Sequence, residues 1–186
     1  MSFLRRLACA LCACALMAPV ARAEGIVAAK SEIAFTMKQM GVKFDGRFRK
    51  WKADVVFKPQ QLAASKAVFD VDLASIDLAS AESESEAQGK LWFDSARFPV
   101  AHFASTAIRG LGGGRYEIAG KLSIKGITRD CAVPITVKND AAGNSVAEGS
   151  FAIRRLDYRI GEGEWADTGT VDNDVFVRVR LVLPPA

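Results

Sequence analysis

The stretch Tyr116-Glu117-Ile118-Ala119-Gly120-Lys121-Leu122-Ser123-Ile124-Lys125 decides the fold. Tyr116, Ile118, Leu122 and Ile124 share one parity, and Glu117, Lys121 and Lys125 hold the other. Period two puts alternate side chains on opposite faces of a β-strand, so this segment reads as a strand with one buried face. The reading spreads outward from there. Towards the N-terminus, Phe69, Val71 and Leu73 face away from Asp70 and Asp72, and Ile33, Phe35 and Met37 alternate with Glu32, Thr36 and Lys38. Val42, Phe44 and Phe48 alternate with Lys43, Asp45, Arg47 and Arg49, whereas Trp51, Ala53, Val55 and Phe57 take the opposite parity. That phase change predicts a bulge near Arg49–Lys50. Towards the C-terminus, Cys131 keeps phase with Val133, Ile135 and Val137, and Val175, Val177, Val179, Leu181 and Leu183 alternate with Asp174, Arg178 and Arg180.

Turn signals separate these runs. Gly112-Gly113-Gly114 and the segment Asn139 to Asn144 supply residues that accept positive φ. Pro59 ends one strand ahead of a short helical turn around Gln60–Ala64, and residues 77–96, rich in Ala, Ser and Glu, read as a helix-and-loop excursion closed by Phe98-Pro99. The result is an all-β chain of about eight antiparallel strands with a small helix. Alternation alone leaves both a sandwich and a closed barrel open, and a barrel of this size can hold one small ligand.

The chain has 186 residues, 50% hydrophobic and 25% charged, a size and composition that suit one globular domain and exclude a disordered one. A formal charge of +4 first suggests a polyanionic partner, but Arg5, Arg6 and Arg22 all fall in residues 1–23. Those residues carry a positive start, an apolar run from Leu7 to Val20 and the small-x-small site Ala21-Arg22-Ala23, the layout of a cleaved secretory signal. The run is too short for a span and Pro19 interrupts its end. Cleavage before Cys14, as in a lipoprotein, is the lesser alternative. Residues 24–186 are then the mature domain, close to neutral, which removes the case for nucleic acid. Cys9, Cys12 and Cys14 leave with the signal, so Cys131 stands alone and no internal disulfide forms.

Candidate chemistry in the mature chain is sparse. One histidine and one cysteine do not make a His/Cys metal site. Cys131 reads as a buried structural thiol and His102 as a surface or hydrogen-bonded residue. Glu82, Glu84 and Glu86 share a face only if extended, spread apart in a helix, and read as a solvated face. The glycines at 110, 112, 113 and 114 lead into a strand, not the helix that a phosphate loop needs. Arg154-Arg155-Leu156-Asp157-Tyr158-Arg159 predicts an arginine–carboxylate pair at a strand end, and Trp165, in a glycine-rich loop, could help close a cavity mouth. No nucleophile, base and oxyanion set assembles. The apolar inner face remains, to be read either as a filled core or as the wall of a ligand cavity.

Several motifs then resemble one family in order and spacing. They are Ser31-Glu32-Ile33-Ala34-Phe35-Thr36 with Gly46-Arg47-Phe48, then Val71 to Asp77 ending in Ser75-Ile76-Asp77, then Trp92-Phe93-Asp94, Phe98-Pro99 and Phe103-Ala104-Ser105. Gly120 to Thr128 and Arg155-Leu156-Asp157-Tyr158 complete the series, which runs from about Ser31 to Leu183. This pattern is similar to that of the YceI-like proteins, exported bacterial proteins that bind lipids or polyisoprenoids. One departure is Arg159, where that family often has glycine.

The resemblance implies a lipocalin-like, extended antiparallel β-barrel with an elongated internal pocket for an isoprenoid-type chain. The expected function is a periplasmic carrier for a long-chain amphiphile, a polyisoprenoid or quinone, without catalysis. The expected ligand is therefore a bound isoprenoid quinone or polyprenyl lipid, with no covalent cofactor and no metal. Such a carrier is compatible with transient membrane contact and with a homodimer. The expected lining comprises Phe35, Met37, Phe44, Phe48 and Phe69 from the first half of the chain, and Val71, Phe103, Ile118, Leu122 and Phe151 beyond them. An interaction module for a membrane redox or stress partner is the alternative function, and an enzyme acting on a lipid headgroup through His102 or Asp157 is a further one. N-terminal sequencing of the protein recovered from the periplasm of a bacterial host is expected to begin at Glu24; a start at Cys14 would establish the lipoprotein route instead.

Overall fold

The computed structural model describes residues 25–185, so the segment expected to be a secretory signal, with Cys9, Cys12 and Cys14, lies outside the described residues. Ten strands form one antiparallel sheet. They are β1 (Glu32–Gln39), β2 (Val42–Phe48), β3 (Trp51–Val56), β4 (Lys66–Asp72), β5 (Ile76–Asp77), β6 (Val100–Gly112), β7 (Arg115–Ile124), β8 (Ile127–Asn139), β9 (Ser145–Arg154) and β10 (Asp174–Leu183). Among the described residues one α-helix, α1 (Ala81–Gln88), stands between β5 and β6.

The ten strands amount to eight chain runs, because two runs are bent. β2 continues into β3 through Arg49–Lys50, and β4 continues into β5 through the 3-10 turn Leu73–Ser75. These bent runs pair with each other at both ends, Arg47 opposite Asp77 in one half and Trp51 opposite Val71 in the other. Between Phe48↔Ile76 and Trp51↔Val71 one run advances by three residues and its partner by five, and the 3-10 turn takes up the excess. Hydrogen bonds cross the bend: the Arg49 amide donates to the Ser75 carbonyl (2.9 Å), the Lys50 amide to Ser75 Oγ (3.0 Å) and the Asp72 amide to the Lys50 carbonyl (3.0 Å). The bulge expected at Arg49–Lys50 is thus a pair of matched bends.

Each run pairs with its neighbours in sequence, and β10 pairs with β1 from Arg180↔Glu32 to Phe176↔Thr36. This is an eight-run meander closed on itself, the lipocalin-like antiparallel β-barrel expected from the sequence. At one end lie the β1–β2 hairpin, α1 with its following loop, the β7–β8 turn and the long β9–β10 loop. At the other end lie the β3–β4, β6–β7 and β8–β9 connections and both ends of the described segment, where the Val27 amide meets the Val182 carbonyl (2.8 Å).

Alternation decides which side chains enter. Ile33 and Phe35 are buried on β1, and Leu122, Ile124, Val133, Leu181 and Leu183 are buried on later strands. α1 is capped by Ser80, whose Oγ accepts from the Ser83 amide (3.2 Å), and it seats Ala87 against Phe35 and Ile76. The helix is further tied down by Arg49, which bonds both Asp77 (2.6 Å) and Glu84 (2.9 Å).

Close packing leaves no room for a side chain at Gly46, opposite Phe35 in the β1–β2 ladder. A Cβ there would stand 2.4 Å from the Phe35 ring and 2.7 Å from Leu78. Gly46→Val should therefore lower stability by about 1–3 kcal/mol through overpacking, read as a lower urea midpoint with an unchanged m-value.

Candidate functional site

The interior of the barrel is a cavity of about 500 Å³ that runs from the α1 end to the β3–β4 end. That volume lies in the range of small-molecule sites. Its wall is overwhelmingly apolar because every strand turns its inward parity to it. Phe35, Met37, Phe44, Phe48, Phe69, Val71, Phe103, Ile118, Leu122 and Phe151 all border the cavity. Phe35 packs on Phe48 with ring centroids 5.7 Å apart, and Phe69 on Phe103 at 6.3 Å. Met37 adds an adaptable side chain close to the α1 end.

Other lining residues escaped the strand reading because they lie in turns. Trp92 and Phe93 belong to the loop after α1, where no period-two pattern exists. They were visible only as the aromatic pair of a family motif. Phe93 meets Phe48 edge-on at 6.1 Å, and Trp92 meets Trp165 at 5.6 Å. Trp165 therefore does border the cavity, and its Nε1 donates to Glu86 Oε1 (3.0 Å). The Trp92 Nε1 is buried and has no hydrogen-bond partner among the described residues. An unmatched buried donor costs about 1–3 kcal/mol.

The loop carrying Trp165 is held by Arg155, which is 1% exposed and borders the same end of the cavity. The arginine–carboxylate pair expected in this segment is present, but Arg155 does not make it: the hydrogen bonds of Arg155 go to carbonyls only. Its Nε donates to Asp172 O (3.0 Å), its Nη1 to Ile160 O (3.0 Å) and Gly161 O (2.9 Å), and its Nη2 to Trp165 O (2.7 Å) and Val171 O (2.7 Å). A guanidinium has five N–H donors, and all five are used. Burial lowers the pKa of Arg155 from the usual arginine value, and the ring of carbonyl dipoles takes the place of a counter-ion. Gly161, with φ +74°, lies so close that a Cβ would stand 2.3 Å from Nη1. The carboxylate partner in this segment belongs instead to Arg159, which bonds Glu162 (2.8 Å). Arg159 has φ +57°, so it adopts the left-handed backbone that glycine would accept with less strain.

Lys125 joins three loops at this end. It sits at φ +50° ahead of Gly126 in the two-residue β7–β8 turn. Its Nζ donates to Lys90 O (2.9 Å), Arg159 O (2.7 Å) and Glu162 Oε2 (3.2 Å). The Arg159 guanidinium first and then Lys125 hold the Glu162 carboxyl below the usual carboxylate range. Tyr158, 4% exposed, is pushed up to about 12 by burial.

The remaining candidates lie elsewhere. His102 stands on the outer face, its Nδ1 2.6 Å from Asp70 Oδ1, and Asp157 is exposed with its carbonyl accepting from Arg129. Neither borders the cavity. Cys131 is half-buried among the residues packed on Leu122 and Tyr158, and burial pushes its thiol pKa up. Of the three acidic residues on α1, Glu84 turns to Arg49, while Glu82 and Glu86, four apart on one helix face, border the cavity.

A closed antiparallel barrel around one apolar cavity, with polar groups confined to its ends, defines a lipocalin-like fold. The model of the YceI-like domain matches residues 25–183, and the chain belongs to that family. It is similar to Burkholderia cenocepacia BcnA, with a TM-score of 0.81 and 37% identity over 85% of this chain and 99% of that one. A polyisoprenoid binding domain from Saccharophagus degradans shares the fold at TM-score 0.67 and 16% identity, covering 87% of this chain and 97% of that one. A UPF0312 protein of Vibrio vulnificus is 30% identical over 116 residues, 62% of this chain; the match spans 59% of that relative's length.

Arg155→Met should cost at least about 3 kcal/mol, because it strips donors from five carbonyls in one step. Arg155→Lys, with three donors, should recover part of the loss. Urea denaturation gives the stability, and tryptophan emission reports release of the Trp165 loop; an unchanged midpoint would contradict the role given to Arg155.

Proposed function

We propose that this protein is a binding and carrier protein for a long-chain isoprenoid-type amphiphile, a polyprenyl lipid or an isoprenoid quinone, and that it works in the periplasm after cleavage behind Ala23. The observation that carries the reading is the apolar cavity of about 500 Å³ running the length of the barrel. Membership in the YceI-like family supports it, as does the shared fold of the Saccharophagus degradans polyisoprenoid binding domain. Phe35, Met37, Phe44, Phe48, Phe69, Val71, Phe103, Ile118, Leu122 and Phe151 are the proposed contacts of the chain. The ligand is held without catalysis, and transient contact with a membrane loads and unloads it.

Burying a chain out of water is worth about 0.8 kcal/mol per CH₂. A membrane lipid already has apolar surroundings, so this gain does not by itself draw it from a bilayer. Affinity then depends on the fit of the aromatic wall, and a carrier role needs exchange more than tight retention. Organic extraction of the protein purified from its native periplasm, followed by mass spectrometry, should recover a long-chain isoprenoid. Phe69→Trp, which fills the middle of the cavity, should keep the far-UV circular dichroism of the parent and lose most of the lipid. Recovery of no long-chain lipid from the parent would refute the carrier reading.

A further inference from the structure

The polar groups bordering the cavity divide between its two ends, and their spare capacity differs in sign. At the β3–β4 end the polar groups are Lys66, which pairs with Asp54, and Tyr116, whose ring packs on Phe57 at 5.1 Å. At the α1 end stand Gln39, Glu82, Ser83, Glu86, Arg155 and the indoles of Trp92 and Trp165. Arg155 is charged, but all five of its donors are held by carbonyls. The cations nearby face elsewhere: Arg49 serves Asp77 and Glu84, Lys125 is buried against Glu162, and Lys38 lies outward, 4.0 Å from Asp172, opposite Lys43 in the hairpin. The carboxylates retain free capacity. The Glu82 carboxylate makes no hydrogen bond among the described residues, and the Glu86 carboxylate uses one oxygen on Trp165 Nε1 and keeps the other. Trp92, whose ring packs on Trp165, has a buried Nε1 that is a donor without an acceptor among the described residues.

Resting on the reading of this cavity as an isoprenoid-type site, we propose that the α1 end holds the headgroup and selects chains capped with an alcohol or an amine over chains capped with a phosphate. A hydroxyl matches the set in both senses: its proton goes to a free carboxylate oxygen of Glu82 or Glu86, and its oxygen accepts from Trp92 Nε1. An ammonium gains the attraction of both carboxylates. A phosphate can accept from Trp92 but places its charge against Glu82 and Glu86, and the one cation lining this end among the described residues, Arg155, has no donor left to offset it.

The test titrates delipidated protein with farnesol, farnesylamine, farnesyl phosphate and farnesyl diphosphate, each below its aggregation threshold. The indoles at the mouth supply the fluorescence signal. The phosphate-capped chains should bind at least about tenfold more weakly than the alcohol at low ionic strength, the penalty expected for like charges a few ångströms apart, and added salt should narrow the gap. The double variant Glu82→Gln, Glu86→Gln keeps an acceptor for Trp165, should melt like the parent, and should bring the alcohol and phosphate values together. Equal or tighter binding of farnesyl phosphate by the parent would overturn the proposal. So would a gap that survives in the double variant, or phosphate binding abolished by Lys66→Gln, which would place the headgroup at the opposite end. If none of the four probes binds, the carrier function itself fails and this inference with it; a reversed order of affinities defeats the inference alone.

Discussion

A guanidinium buried without a carboxylate sets the terms for one whole end of this barrel. Taking such a charge out of water costs several kcal/mol unless every donor is matched. The matching groups are backbone carbonyls of Ile160, Gly161, Trp165, Val171 and Asp172, so the β9–β10 loop can satisfy Arg155 only in one conformation. That conformation brings Trp165 to Trp92 and to Glu86 on α1. It also presents the carbonyl of Arg159 to Lys125, which in turn holds Lys90 in the loop after the helix. The end of the cavity is thus built by mutual constraint among segments that have little regular structure of their own.

The barrel wall follows a simpler logic. Inward parity supplies a continuous apolar surface from eight chain runs, and outward parity carries cross-strand ion pairs such as Arg109–Glu117, Lys121–Asp130 and Arg180–Glu148. These exposed pairs contribute little to stability individually. Their value is in fixing which face is out, since a slip of one residue would turn every charge into the cavity.

What could be read from residues alone divides along the same line. Strands, parity, the bend near Arg49–Lys50 and the excursion that contains α1 were legible because period two is a local signal. The ten expected contacts all fall on strands for that reason. The partners of Arg155 were not legible: carbonyls belong to every residue, and only the path of the loop from Ile160 to Asp172 decides which of them converge. Trp92 and Phe93 lay outside any alternation. Glu82 and Glu86 looked like a solvated comb at a spacing of two, and came together at the rim only through the four-residue repeat of the helix.

The meander also divides the seams of the barrel into local ones and one long-range one. Seven of the eight seams join runs that are adjacent in the chain, so their loop-closure entropy is small. The seam between β1 and β10 joins the first strand to the last. Until β10 is in place, the inward faces of Phe35 and Phe151 belong to an open sheet with two bare edges, and no interior exists. Closure therefore depends on the one seam that spans the whole sequence, and a chain shortened by its last strand would be a sticky template for other copies rather than a weaker container.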